Sequence, residues 1–183
     1  MRARNSGIIL VTILMLMCVG SVQAAGDTVD FLGEYSNVKS DTSGHCDGYS
    51  VALWKHKEAL IGLLYHQHGL CEDAPMGVIR DITYAASAGS ISFRVKLSDG
   101  VTFHAGKWGP TRDIIKFNGE MHGPSIKGLA AWYRDGEKQR QLAENITLTV
   151  EHKNDASYKS FASYDEWVKY WEPILKKRGP QWQ

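Results

Sequence analysis

The sequence predicts a mainly β fold: an antiparallel up-and-down β-barrel of about eight to nine strands, with one C-terminal α-helix packed outside it. Short apolar–polar alternations recur from Phe31 to Glu151, separated by turn residues at intervals too short for helical crossovers. Strands that follow one another this closely pair as antiparallel neighbours, and such a meander closes most simply as a barrel. After Phe161 the apolar period lengthens from two residues to about 3.6, which marks an amphipathic helix.

The first two dozen of the 183 residues read as a leader. Arg2 and Arg4 precede an apolar run from Ile8 to Val19, which closes on Val22-Gln23-Ala24. A basic start, a short apolar centre and a small-residue exit make a secretory signal peptide over residues 1–24, cut after Ala24. The run is shorter than the roughly 20 apolar residues of a membrane span. Met17 before Cys18 also argues against a lipid-anchored cysteine, because attachment favours a small residue there. Residues 25–183 then form one domain, periplasmic or secreted, with no membrane span after cleavage. The chain carries 21 Lys and Arg against 20 Asp and Glu, and cleavage removes Arg2 and Arg4 with no acid. A near-neutral chain has no electrostatic footprint for nucleic acid or for an anionic membrane.

The most informative strands are Tyr49–His56 and Leu60–His68. With Lys57 and Glu58 as a two-residue turn, Tyr49 opposes His66 and Trp54 opposes Ile61. Tyr49, Val51 and Leu53 then share one face with Gly62, Leu64 and His66, while Ala52 and Trp54 share the other with Ile61, Leu63 and Tyr65. Both faces are apolar, which a barrel strand facing water would not be, so the outer one needs a cover. The C-terminal helix is the element available to supply it. The same register sets Cys46 opposite Gly69, two residues from Cys71, so a Cys46–Cys71 disulfide ties the open end of this hairpin. Pairing is also the default for two cysteines in an oxidising compartment, and no Cys-x-x-Cys suggests redox chemistry.

Further strands follow at Val78–Tyr84, Ser90–Leu97, Val101–Ala105, Ile114–Met121, Ile126–Tyr133 and Leu142–Val150. Ala88-Gly89, Asp99-Gly100, Gly109-Pro110, Gly123-Pro124 and Asp135-Gly136 separate them. Inward positions mix Gly62, Gly128 and Ala130 with Phe93 and Phe103, which suits a solid taper and a cavity equally. Trp54, Trp108 and Trp132 read as core fillers. The helix spans about 163–178, with Ser163 as N-cap and Glu166 completing a capping box. Val168, Trp171 and Leu175 form its apolar stripe, widened by Trp167, Tyr170 and Ile174. Pro173 should kink or split it, and Gly179-Pro180 stops it. Lys176-Lys177-Arg178 complements the negative end of the helix dipole.

The opening Gly33-Glu34-Tyr35-Ser36-Asn37 resembles the Gly-x-Trp start of lipocalins and the Gly-x-Trp-x-Asn start of avidin-like barrels, with Tyr35 in place of Trp. The resemblance covers five residues and is one of lipocalin/avidin-like, or calycin-like, architecture. It implies Asn37 as a ligand contact at the barrel mouth. Tyr35, Asn37, Tyr49, His66 and His68 are therefore the candidate ligand-binding residues. His66 and His68 point to one face of their strand, with Asp47 opposite His68 and His45 one step beyond. Imidazoles with a carboxylate could hold Zn²⁺ or Cu²⁺, the alternative being a solvated polar rim. His104 and His122 are isolated. The chain contains no Gly-x-Ser-x-Gly, phosphate-cradling glycine loop or His-Glu-x-x-His. Glu34, Asp81, Asp113, Glu120 and Glu144 are scattered, so no residue is assigned to catalysis and no cofactor is implied.

Three functions follow from these readings. The leading one is a non-catalytic barrel that binds a small or lipophilic molecule. The second is an envelope interaction module (an inhibitor, immunity protein or assembly accessory) acting through Ser40–Gly44 and Glu72–Pro75 around a solid barrel. The third is a metal-dependent or other enzyme.

Overall fold

The computed structural model describes residues 26–71, 74–97, 101–104, 107–110, 113–134, 139–151 and 158–177. The leader expected over residues 1–24, with Cys18, and the loop residues Glu72 and Asp73 lie outside the described residues. Within them the chain forms β1 (Val29–Ser36), β2 (Lys39–Ser40), β3 (His45–His56), β4 (Ala59–Leu70), β5 (Met76–Ala85), β6 (Ser90–Lys96), β7 (Val101–His104), β8 (Lys107–Pro110), β9 (Asp113–His122), β10 (Ser125–Arg134), β11 (Arg140–Val150) and α1 (Tyr164–Lys177).

The sheet runs β1-β11-β10-β9-β6-β5-β4-β3, and β1 also pairs with β3, which closes an antiparallel barrel of eight strands. Strand β2 adds to β3 outside the ring. The β3–β4 hairpin has the register the sequence implies: Tyr49 faces His66, Trp54 faces Ile61, and Lys57 takes the left-handed backbone of a tight turn (φ 56°). Cys46 and Cys71 form a disulfide.

The expected barrel strand Val101–Ala105 is a correction. Val101–His104 pairs with Lys107–Pro110 as a separate two-stranded hairpin, and β6 pairs directly with β9. The physical reason is that β9 pairs with β6 from Ser90 to Lys96, which leaves no place there for another strand. Gly109-Pro110, expected as a turn, ends β8 instead, with Pro110 at a strand terminus where its missing N–H is tolerated. Phe103 therefore lies on that hairpin, outside the eight-strand ring.

Two apolar clusters lie on either side of β3 and β4. The inner one contains Val51, Leu53, Leu64, Phe93, Phe117 and Ile146 among others. The outer one joins Ala52, Trp54, Ile61 and Leu63 to Phe161, Trp167 and Trp171, so the helix region covers the second apolar face. Helix α1 starts as a cap: Glu166 N–H donates to Ser163 Oγ at 3.2 Å, and Ala162 N–H donates to the Glu166 carboxylate at 2.9 Å. It continues through Pro173 without splitting. Glu172 on its exposed side pairs with Arg80 of β5. None of the described helices is long and apolar enough to cross a membrane.

Among the described residues the inner cluster is closely packed. A Cβ on Gly128 would lie 2.6 Å from Phe117 Cζ, and one on Gly119 2.8 Å from it, so the glycines make room for a ring that fills the centre. Phe117 stacks on Phe93 at 5.1 Å. The void left among Tyr49, Leu64, Phe93, Phe117 and Ile146 measures about 10 Å³, room for one water at most.

The barrel ends differ. One is closed by the short turns after β3, β5 and β9. At the other lie the connections leading into β3, β5, β9 and β11, with the β7–β8 hairpin inside one of them.

Candidate functional site

The open end collects the candidate residues. Inward positions alternate along each strand, so the layer holding Tyr49, Leu64, Ile115 and Ile146 is followed by His66, Trp132 and Glu144, and then by Asp47, His68 and Leu142. The lower layer is buried, and His66 and Trp132 are half-buried. Glu144 is exposed, as are His68 and Leu142, whose side chain and residue are 80% and 57% exposed. The register thus brings half-buried rings and exposed polar residues together at the open end, in a cluster termed the cup.

The cup is tied together through Tyr49. Trp132 Nε1 donates to the Tyr49 hydroxyl at 2.8 Å, and that hydroxyl donates to the Glu144 carboxylate. His66 packs edge-on against Trp132, with ring centroids 4.3 Å apart, and lies 5.0 Å from the Tyr49 ring. Burial raises the Tyr49 phenol well above its ordinary range, the Glu144 hydrogen bond adds to this, and the Trp132 donor opposes it. Burial also pushes the His66 imidazole down to about 4, helped by nearby His68 and opposed by Asp47. His66 is therefore neutral near pH 7.

Asn37 is hydrogen-bonded to the backbone of Tyr49. Its Oδ1 accepts from Tyr49 N–H at 2.7 Å, and its own N–H donates to Tyr49 O at 3.0 Å, so it extends strand pairing past the end of β1. Gly48 permits this approach: its φ is 130°, and a Cβ there would lie 2.8 Å from Asn37 Oδ1. Asn37 thus positions Tyr49. Tyr35 sits apart from the cup, buried in the inner cluster. Burial raises its phenol, and Tyr84, beside the turn after β5 at the closed end, adds to the shift.

His66 and His68 do share a face, with parallel rings 6.2 Å apart. His68 Nδ1 lies 3.0 Å from Asp47 Oδ1. His45 turns elsewhere, 3.1 Å from Ser43 Oγ and 3.9 Å from Asp41 Oδ2. Asp41 is itself held below the ordinary carboxylate range by the Ser43 hydroxyl and by the N–H groups of His45 and Ser43. Among the described residues no three His, Cys, Asp or Glu side chains are grouped to hold a metal ion. Lys39, Asp41, His45, Asp47, His68 and Gly69 instead border an open groove of about 510 Å³ beside the disulfide.

Two members of the cup have no local sequence signal: Trp132 reads as core filler, and Glu144 as one of several scattered carboxylates. The signal that joins them is the β10–β11 register, in which Ala130 faces Glu144 and Trp132 faces Leu142. Trp108 and His104 lie on the separate hairpin, and His122 pairs with Glu120 at 3.1 Å near the closed end. Compared with known families, curated proteins and solved structures, the chain matches none of them.

Proposed function

We propose that the protein is a non-catalytic interaction module of the cell envelope that engages its partner through the open rim, with the barrel as rigid scaffold. The observation that supports this best is the close packing of the inner cluster among the described residues. A void of about 10 Å³ is far below the roughly 300–1,000 Å³ that small-molecule pockets occupy. Housing a lipophilic molecule inside would require moving Phe117, which packs over Gly119 and Gly128, and Phe93 stacked on it. The rim, by contrast, offers a groove of about 510 Å³ and exposes Leu70 at its edge. An envelope location draws on the leader-like residues 1–24, and the Cys46–Cys71 bond is compatible with an oxidising compartment.

A photo-crosslinking residue placed at Ser40 or Leu70, and separately at Lys57 of the closed end, tests this in the exporting cells. The rim positions should capture one stoichiometric partner and Lys57 none. Equal capture from both ends overturns the reading. So does saturable, competitively displaced binding of a hydrophobic fluorophore with no rim adduct.

A further inference from the structure

We propose that the cup at the open end is a recognition site for an organic cation, an alkylammonium or guanidinium group, seated against Trp132 and His66 and paired with Glu144. The proposal rests on the reading that the open rim is the binding surface, and it names the chemistry that surface takes.

The arrangement of Glu144 is the first argument. Its carboxylate is exposed at an inward register position and fixed by the Tyr49 hydroxyl, which is itself held by the Trp132 indole. Among the described residues it makes no ion pair, so the negative charge is anchored and open to a ligand. The second argument is the surface beside it. Trp132 and His66 are half-buried rings packed at 4.3 Å, and an indole face attracts a cation through its quadrupole while it covers the alkyl stem. The third is charge balance. Asp47 on β3 supplies a second carboxylate, 3.0 Å from His68 and opposite Lys39 of β2, and His66 is neutral near pH 7.

Other ligand classes fit less well. An anion would meet Glu144 and Asp47. A neutral apolar group would strip water from the Glu144 carboxylate with nothing to replace it. A divalent metal finds no grouped ligands among the described residues.

The test is a titration followed by the indole Nε1–H resonance of Trp132, assigned from its absence in Trp132→Phe. The probes are butylammonium, butylguanidinium, neutral butanol and butyrate. Both cations should shift that resonance saturably, and butanol and butyrate should not. Glu144→Gln keeps a hydrogen-bond acceptor for Tyr49 on an exposed side chain, and it should weaken cation binding about tenfold. Glu144→Lys should abolish the response by placing its own ammonium in the cup. Equal shifts from butanol, or an unchanged response in Glu144→Gln, overturn the proposal.

Nα-acetyl-lysinamide distinguishes the source of the cation. Tighter binding than butylammonium identifies a partner's side chain; equal or weaker binding identifies a free amine. A saturable cation response without rim crosslinks keeps the site and removes the protein-partner reading. Rim crosslinks without a cation response do the reverse.

Discussion

The helix-covered flank and the open cup share strands β3 and β4, the cup adding Trp132 of β10 and Glu144 of β11, yet they treat aromatic rings in opposite ways. On the flank, Trp54 is fully buried among Phe31, Trp167 and Trp171, with ring centroids 5.2 to 5.9 Å away. Its indole N–H is spent on Lys159 O at 2.9 Å. In the cup, Trp132 and His66 stay half-buried, and the indole N–H feeds a chain that ends on an exposed carboxylate. The flank thus converts aromatic area into stability, while the cup leaves rings and charge accessible. On β3 and β4 themselves, outward Trp54 and Ile61 serve the flank and inward Tyr49 and His66 serve the cup.

The strongest way to break this division is to empty the flank. Trp54→Ala removes the centre of the outer cluster and should cost about 4 kcal/mol, as large-to-small changes at fully buried aromatic positions do. Urea unfolding reads the loss. If the flank and cup are separate, the Trp132 indole resonance in the folded variant keeps its position; a shift there would show that the helix also shapes the cup.

Replacing both Cys46 and Cys71 by Ser acts nearer the cup. The bond spans 25 residues, and releasing a loop of that size should cost about 3 kcal/mol. Hydrogen exchange locates the effect: the Cys71 N–H, which donates to Gly44 O at 3.2 Å, should lose protection, while flank amides such as Val29, bonded to Phe161 O, keep theirs. Uniform loss of protection would mean that the rim and flank open together.

These two regions were not equally legible in the sequence. The flank could be derived because it follows from local rules: a two-residue turn fixed the register of β3 on β4, and two apolar faces required a cover. The same register brought Cys46 to within reach of Cys71. The cup depends on non-local closure. Tyr49 and Glu144 meet only because β1 seals the ring between β11 and β3, and no alternation pattern states that. Val101–Ala105 failed for a related reason: its alternation fits any strand, and the competition of β9 for the β6 edge is invisible within a five-residue window. Whether glycines open a cavity or seat a ring likewise turns on the side-chain direction of Phe117.

Acid should separate the regions without mutation. The folded His66 imidazole has its pKa near 4, below the ordinary 6.5, so the unfolded chain binds more protons between these values. Stability from this group is fully present above about pH 6.5, declines as pH falls through the window, and is gone below about pH 4. The loss should approach about 3 kcal/mol. The groups nearest His66 are His68 on β4, with Asp47 and Tyr49 on β3. His66→Leu isolates the histidine, and its stability should flatten across that window relative to the parent. A slope unchanged by the substitution would assign acid sensitivity elsewhere.

The gentlest perturbation bears on what holds the flank. Ser163→Ala removes the acceptor for Glu166 N–H and should cost about 1 kcal/mol, the usual value of an N-cap. The figure is small because α1 has 14 residues, near the length at which isolated helices are marginal, and it draws its stability from burying Trp167 and Trp171. The variant should therefore fray at Tyr164–Glu166 by hydrogen exchange while Trp167 keeps its protection. A loss close to that of Trp54→Ala would mean that the cap gates docking of the whole helix. The flank would then be a detachable cover, and the stability attributed to its aromatic packing would belong to a cooperative closure that begins at Ser163.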